Sequence, residues 1–509
     1  MIRIALAIWT CLTAAALGAS ASRQELSLNG RWEHRLVDDL SAPAPEDGFT
    51  PVSVPGYLSG IDHQRAWFRR KFTVPADMQG MRIKIRFGGV KYNSRVYVNG
   101  REVGGSFGGH RPFEVDVTEA VRFDGPNDLA VGCHDWTGLF TPGKVDFKAT
   151  AEWHRVRSAP QDKILAPIGG LYGLYGIWDD VTLQAHPAVY VKDLFIKPSV
   201  RRGELVVDYT VSNESAAEVE VELRATVEDE SNDALDLPSA RVRVPAGGTA
   251  TASLRKPWPE ARRWSHVDPY LYHLRTELSS GDVLRTRFGF REFWVEGPHF
   301  YLNGTRVNLL ATSWWPPHAP MTREEIKDRW EAVKLCGCVA FRTHTQPWRS
   351  VHYDVADELG LLMIVEGAVW NDESVYRIND PVFWQNYAGH LEAMVNRGKN
   401  RATRGVAKTG LEARLQPAII KEVARKEVSP RTTESGRSIS PSGPRRISVT
   451  NVSQMLYVAP FCWTGNPGLD HNCKCCGTQD LRQSSPGNPR FSRDLPHAHL
   501  PWGPNATSR

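Results

Sequence analysis

Two short words of the sequence place hydrogen-bond donors and an acid just past apolar runs. FRTHTQP (Phe341 to Pro347) offers Arg342 and His344, and GLLMIVEGAVW (Gly360 to Trp370) offers Glu366. A guanidinium and an imidazole donate to hydroxyl groups, while a carboxylate accepts from them or moves a proton. Trp314, Trp315, Trp348 and Trp370 fall at or near the same ends of the runs. An indole presents a flat apolar face and one N–H, and that face suits the C–H side of a pyranose ring. Arg342, His344, Glu366, Trp315, Trp348 and Trp370 are therefore the candidate substrate-binding residues. Each also has a plainer role. Glu366 reads first as a structural acid that orients Arg342 or His344. The two donors serve equally well as satisfied interior residues, and indoles in such loops as often pack.

The elements that position them alternate between two periods. YLNGTRVNLL carries an Asn303-Gly304 turn and then an apolar run, the pattern of a hairpin feeding a buried strand at Val307 to Leu310. Thr322 and Glu325 form a T-x-x-E capping box. The helix it starts should bury Ile326, Trp330 and Val333 and stop at Gly337. Val339 to Phe341 is a second apolar strand, Val351, Val355 and Leu359 mark a second helix, and Leu361 to Val365 is a third strand. Asp380-Pro381 then caps a third helix with a Trp384, Tyr387, Leu391 and Met394 stripe. Strand and helix alternating at this pitch predict parallel α/β architecture, whose sites are built just past the strand ends.

FGFREF, LNGTRVNLL, FRTHTQPW and DELGLLMIVEGAVW form a spaced series. It resembles the start of the catalytic barrel in family 2 of the glycoside hydrolases, the β-galactosidase, β-glucuronidase and β-mannosidase group. Upstream, LNGRW, WFRRKF, RFGGVKYNSRVYVNG, PNDLAVGCHDWTG and PIGGLYGLYGIWDDVTLQAHP resemble that family's jelly-roll sugar-binding domain. The resemblance implies hydrolysis of a β-glycosidic bond with retention and no obligatory organic cofactor. It also implies a first domain that is mainly architectural and lends loops to the rim of the site. Arg342 and His344 resemble the family's pocket residues beneath the sugar. Retaining hydrolysis takes two carboxyl groups about 5–5.5 Å apart. In the family the acid/base is a Glu following Asn at the fourth strand, and the nucleophile Glu lies near the seventh. Glu366 matches neither, so no catalytic residue is assigned.

The chain upstream supports this division on its own patterning. Residues 22–187 read as all-β, with alternation at Arg82 to Phe87, Asn93 to Val98 and Phe113 to Val117, and an Asn99-Gly100 hairpin turn. Residues 188–290 repeat the pattern at Leu205 to Val211, Val219 to Val227 and Arg241 to Val244, the mark of an immunoglobulin-like sandwich. Asn213 and Asn303 head N-x-S/T sequons there and just beyond. The expected fold class is multidomain: a jelly-roll β-sandwich, an immunoglobulin-like β-sandwich over 188–290, an incomplete (β/α) TIM barrel over 291–400, and a disordered tail over 401–509.

The two ends of the sequence differ from the body. Arg3 and the apolar run Ile4 to Leu17, followed by Ala19-Ser20-Ala21, predict a cleavable signal peptide over 1–21 and a secreted or periplasmic protein. The net charge of +5 belongs to the tail. From Arg401 onward there are 16 Lys and Arg against 7 Asp and Glu, leaving a slightly acidic body with no face for a nucleic acid. No apolar run is long enough to span a bilayer, so no membrane partner is expected. From Arg401 the text changes to clusters of Pro, Arg and Ser and departs from the family, as a frameshifted or foreign extension would. The expectation is a chain truncated inside its barrel, with a non-catalytic carbohydrate-binding or scaffold protein as the alternative. Cys133, Cys336 and Cys338 read as buried free thiols. Cys462, His471, Cys473, Cys475, Cys476, His497 and His499 could be drawn as a zinc site, but the Cys473 to Cys476 run is too tight and only Cys473 with Cys476 has the usual spacing of paired ligands. No metal is expected.

Overall fold

The computed structural model describes residues 22–59, 64–140, 164–230, 233–369 and 375–408, all within one compact unit spanning Met1–Pro460. The expected leader over 1–21, Trp370, the cysteine and histidine cluster and the tail from 409 onward lie outside the described residues.

The first sandwich packs two antiparallel sheets. One runs in the order Thr50–Val54, Gly30–Val37, Arg65–Phe72, Asn127–His134, Asn93–Val98, Arg101–Phe107. The other runs Gln24–Ser27, Val181–His186, Arg82–Phe87, Phe113–Asp116. Alternation does the sorting: in Arg82–Phe87 the inward Ile83, Ile85 and Phe87 are fully buried. Asn99 and Gly100 both take positive φ, as a two-residue primed turn demands. The second sandwich pairs Val189–Ser199, Glu204–Asn213 and Thr249–Pro257 in one sheet. Its other sheet is built on Val219–Glu228 and Tyr272–Leu278, and both share one apolar core. Asn213 is fully buried there and donates to Ala217 O at 2.7 Å and Val244 O at 3.1 Å, so its sequon is closed to modification in the folded chain.

Beyond it stands a parallel sheet in the order Ala311–Trp314, Ala340–Thr343, Leu362–Glu366, Arg404–Lys408. Helices α1 (Arg323–Leu335), α2 (Ser350–Leu359) and α3 (Pro381–Gly398) make the crossovers. Both arms of the Thr322 and Glu325 capping box are made, and Ile326, Trp330 and Val333 are the buried face of α1. Asp380 accepts from Val382 N at 2.9 Å and so caps α3. Gly360 ends α2 at φ 73°, where an added Cβ would lie 2.9 Å from the Ser265 and His266 carbonyls. No other residue type meets both conditions.

Four expectations need correction. The first parallel strand is Ala311–Trp314 and not Val307 to Leu310: Val307 is spent in the preceding hairpin opposite Phe300, and Leu310 is half exposed. The sheet is not left open beside the third strand, because Arg404–Lys408 pairs with it in parallel. The break expected at Asn400 therefore falls too early, and residues 401–408 belong to the α/β unit rather than to a disordered tail. Arg401, Ala402 and Thr403 lead into this strand and are well anchored. Arg401 Nη1 lies 2.6 Å from Asp354 Oδ1, Ala402 is buried, and Thr403 N donates to Asp357 Oδ1 at 2.6 Å. Of the three cysteines, only Cys133 is buried; Cys338 is half-buried, and Cys336 is exposed where α1 ends.

The Asp357 carboxylate is buried, held by Thr403 N, Arg401 at 3.5 Å and Arg287 at 3.5 Å, with burial pushing its pKa up. Replacing Arg401 leaves that charge with one cation fewer. Arg401→Ala should destabilise the chain by roughly 1–3 kcal/mol in urea unfolding, the cost of stranding part of a buried polar group. Arg224→Ala, at an exposed pair with Glu222, should leave the midpoint unchanged. Equal midpoints for wild type and Arg401→Ala would mean that residues 401–408 are not part of the fold.

Candidate functional site

The ends of the two central parallel strands, Ala340–Thr343 and Leu362–Glu366, meet at Glu366, the last residue of the latter. Its side chain is 5 % exposed. Arg342 Nη2 donates to Oε1 at 2.7 Å, and the Thr345 backbone N–H donates to Oε2 at 2.8 Å. His344 Nδ1 stands 4.0 Å from Oε2. Glu366 N in turn donates to Thr343 Oγ1 at 3.1 Å, which ties the second strand to the third. Glu366 thus orients Arg342 and Thr345, the structural role read first from the sequence.

Thr345 aims its N–H at Glu366 by adopting φ +54°. That conformation is costly for a branched residue and is found where surroundings impose it. The imposing element comes from the first sandwich. A Cβ on Gly170 would stand 2.1 Å from Thr345 Oγ1 and 2.7 Å from Trp315 Cζ3, so the sandwich backbone lies directly on the site. Its neighbour Gly169 donates to Ala368 O at 2.8 Å. Gln346 Oε1 accepts from Leu171 N at 3.2 Å and from Lys91 Nζ at 3.3 Å. Lys91 is fully buried, and burial pushes its pKa well down. The Gly-Gly dipeptide in PIGGLYGLYGIW was the one sequence signal for this contact; nothing in the sequence marks Thr345, Gln346 or Lys91.

The tryptophans separate. Trp315 is 56 % exposed, and its ring meets His344 edge-on at 4.4 Å between centroids. It is the indole with a face to offer. Trp348 does not join it, and its assignment as a sugar-binding residue is corrected: it is buried between Trp330, Phe341 and His352. Trp314 likewise packs on Trp330 and Phe341. Trp370 lies outside the described residues. Arg342, His344 and Trp315 thus line a partly dry surface with Glu366 beneath, able to grip a polyhydroxylated ring through donors and an apolar face. Among the described residues no three His, Cys, Asp or Glu gather as metal ligands would, and no helix is long and apolar enough to cross a membrane.

Residues 25–187 match the family model described as glycosyl hydrolases family 2, sugar binding domain, and residues 189–291 match glycosyl hydrolases family 2. A putative β-glucuronidase of Formosa agariphila is 24 % identical over 365 residues, covering 67 % of this chain and 41 % of that protein. The β-glucuronidase of Felis catus is 24 % identical over 453 residues, covering 77 % and 65 %. The chain therefore spans about half the length of the curated relatives it matches. Among solved structures, a Bacteroides uniformis β-glucuronidase superposes with a TM-score of 0.63 at 21 % identity, over 80 % of this chain and 50 % of that one. A Ruminococcus gnavus β-glucuronidase in complex with D-glucuronic acid gives 0.62 at 20 % identity, over 79 % and 70 %.

The contact between Gly170 and Thr345 can be tested as a pair. Thr345→Gly removes a left-handed β-branched residue and should stabilise the chain by roughly 1 kcal/mol. Gly170→Ala should destabilise it, because the new methyl group meets Thr345 Oγ1. The penalty should shrink clearly in the Thr345→Gly background. Equal penalties in the two backgrounds, measured by urea unfolding, would show that the loop does not press on Thr345.

Proposed function

Because the chain belongs to family 2 of the glycosyl hydrolases, we propose that its strand-end cluster is the sugar-holding part of a β-glycosidase site of the glucuronidase and galactosidase type. The observation that carries this is Glu366, held by Arg342 and Thr345 at the C-terminal end of a parallel strand with the exposed face of Trp315 and His344 alongside. The sheet order Ala311–Trp314, Ala340–Thr343, Leu362–Glu366, Arg404–Lys408 is sequential, each strand pairing with the next. That order supports reading the sheet as the opening strands of a (β/α)₈ barrel, whose sites lie at this face. The leader-like residues 1–21 support export.

Holding a sugar is not cleaving it. Retaining hydrolysis needs a second carboxyl about 5–5.5 Å from the first. Among the described residues Glu366 is the one carboxylate ending a parallel strand, and Arg342 occupies one of its oxygens. No Asn-Glu pair occurs between Glu366 and Arg509. Binding that is equal in ground and transition states does not accelerate chemistry. The reading is therefore weak sugar binding without turnover, which is also where the non-catalytic alternative converges. Aryl β-glucuronide, β-galactoside, β-mannoside and β-glucoside should release no aglycone with purified protein. Turnover that disappears in Glu366→Gln would overturn this and reveal a partner carboxylate.

A further inference from the structure

The segment that follows Glu366 is gripped from behind by a histidine that the sugar-facing cluster does not use. His390 lies on the buried face of α3 with Tyr387, Leu391 and Met394, a position where an apolar side chain would pack as well. Its Nε2 accepts the Ala368 N–H at 3.0 Å, two residues beyond Glu366. Accepting there requires an unprotonated Nε2, so the ring proton sits on Nδ1. Ala368 O accepts from Gly169 N at 2.8 Å, so the same residue, through its next peptide unit, also holds the sandwich loop. On that loop's other side His110 Nε2 meets Ile168 O at 3.3 Å. A carbonyl only accepts, so His110 carries its proton on Nε2. The two rings lie 5.9 Å apart at 73°, one from each domain.

We propose that His390, with His110 behind it, is a positioning residue: the uncharged pair fixes residue Ala368 against Gly169 and thereby the place of the Glu366 carboxylate. This rests on the reading of the Glu366 cluster as the sugar site. Tyr92 and Trp178 face His110, Tyr387 faces His390, and the basic groups nearby are Lys91, Arg111 and Arg397. Arg111 and Arg397 act on His390, Lys91 and Arg397 act on His110, and each histidine is buried. Burial takes His390 down to about 3. A histidine whose folded pKa is depressed contributes stability above its unfolded pKa of about 6.5 and loses it as pH falls toward the folded value. The bracket therefore stays intact in the folded chain down to about pH 3, while the stability it contributes is lost progressively between about pH 6.5 and 3.

The test compares His390→Leu, which fills the space without an acceptor, with His390→Gln, which keeps an acceptor oxygen. Hydrogen exchange of the peptide covering Glu366 to Val369 and of Asn93–Val98 is followed at pH 7. Affinity for phenyl β-D-glucuronide is measured in parallel. In His390→Leu, exchange at Glu366 to Val369 should speed up and affinity should fall by about tenfold, the equivalent of one buried hydrogen bond. Asn93–Val98 should be unaffected, and His390→Gln should recover both readouts. Wild-type exchange in His390→Leu, or a uniform loss of protection that His390→Gln does not repair, overturns the proposal. If wild type binds no sugar, the sugar-site reading fails, while the exchange arm still decides whether His390 positions the peptide.

Discussion

The Glu366 side chain is 5 % exposed. A carboxylate taken out of water costs several kcal/mol unless it is paired and hydrogen-bonded. The strand ends are arranged around meeting that cost. Arg342 supplies the countercharge at 2.7 Å, and Thr345 supplies a backbone N–H at 2.8 Å. Thr345 reaches it only by a left-handed backbone worth roughly 1–2 kcal/mol of strain. Charge-assisted hydrogen bonds contribute about 1.5–3 kcal/mol each, so two of them outweigh the strain. The first sandwich then seals the arrangement, with Gly170 against Thr345 and Gly169 against Ala368.

A domain that seals a site has to be held in place, and the interface shows how. Arg397 on α3 lies 3.2 Å from Asp179, donates to Trp348 O at 3.1 Å and stacks over Trp178 at 5.4 Å. Arg349 reaches the next residue, Asp180, at 3.1 Å. Burial pushes the Asp179 carboxyl up and the Arg397 guanidinium down, so each charge persists because of its partner. Arg23 with Asp282 at 2.9 Å and Lys84 with Glu214 at 2.7 Å join the two sandwiches in the same way. The Arg397 contacts with Asp179 and Trp178 run between segments more than 200 residues apart, and they make the sandwich loop a wall of the site and not a neighbour of it.

What the sequence disclosed follows from range. The Thr322 box, the Asp380-Pro381 cap, the Gly360 stop and the Asn99-Gly100 turn are settled within four residues, and each could be read directly. Strand alternation in Arg82–Phe87 and Asn93–Val98 was equally local. The fourth parallel strand was not legible, because RGVAK has too few apolar residues to show a period. The residues leading into it are anchored by Asp357, more than 40 positions away. Leu309 and Leu310 drew the first parallel strand too early, since an apolar pair does not say whether it enters the sheet. For the site, Arg342, His344 and Glu366 were found by type and position, and the structure brings them together. Trp348 and Trp315 look alike in sequence; only the third dimension separates a core indole from an exposed one. Thr345 acts through its own backbone N–H and His390 on the backbone N–H of Ala368, and a backbone partner leaves no trace in residue type.

Ligand-observed saturation-transfer NMR with phenyl β-D-glucuronide and phenyl β-D-galactoside tests the account most directly, on wild type and on Trp315→Ala. The account predicts binding of at least one glycoside with a dissociation constant on the order of 1 mM. Transfer should be strongest at the ring C–H protons that face the indole and should be lost in Trp315→Ala with the fold intact. Undiminished transfer in Trp315→Ala, or none from wild type to either glycoside, would contradict it.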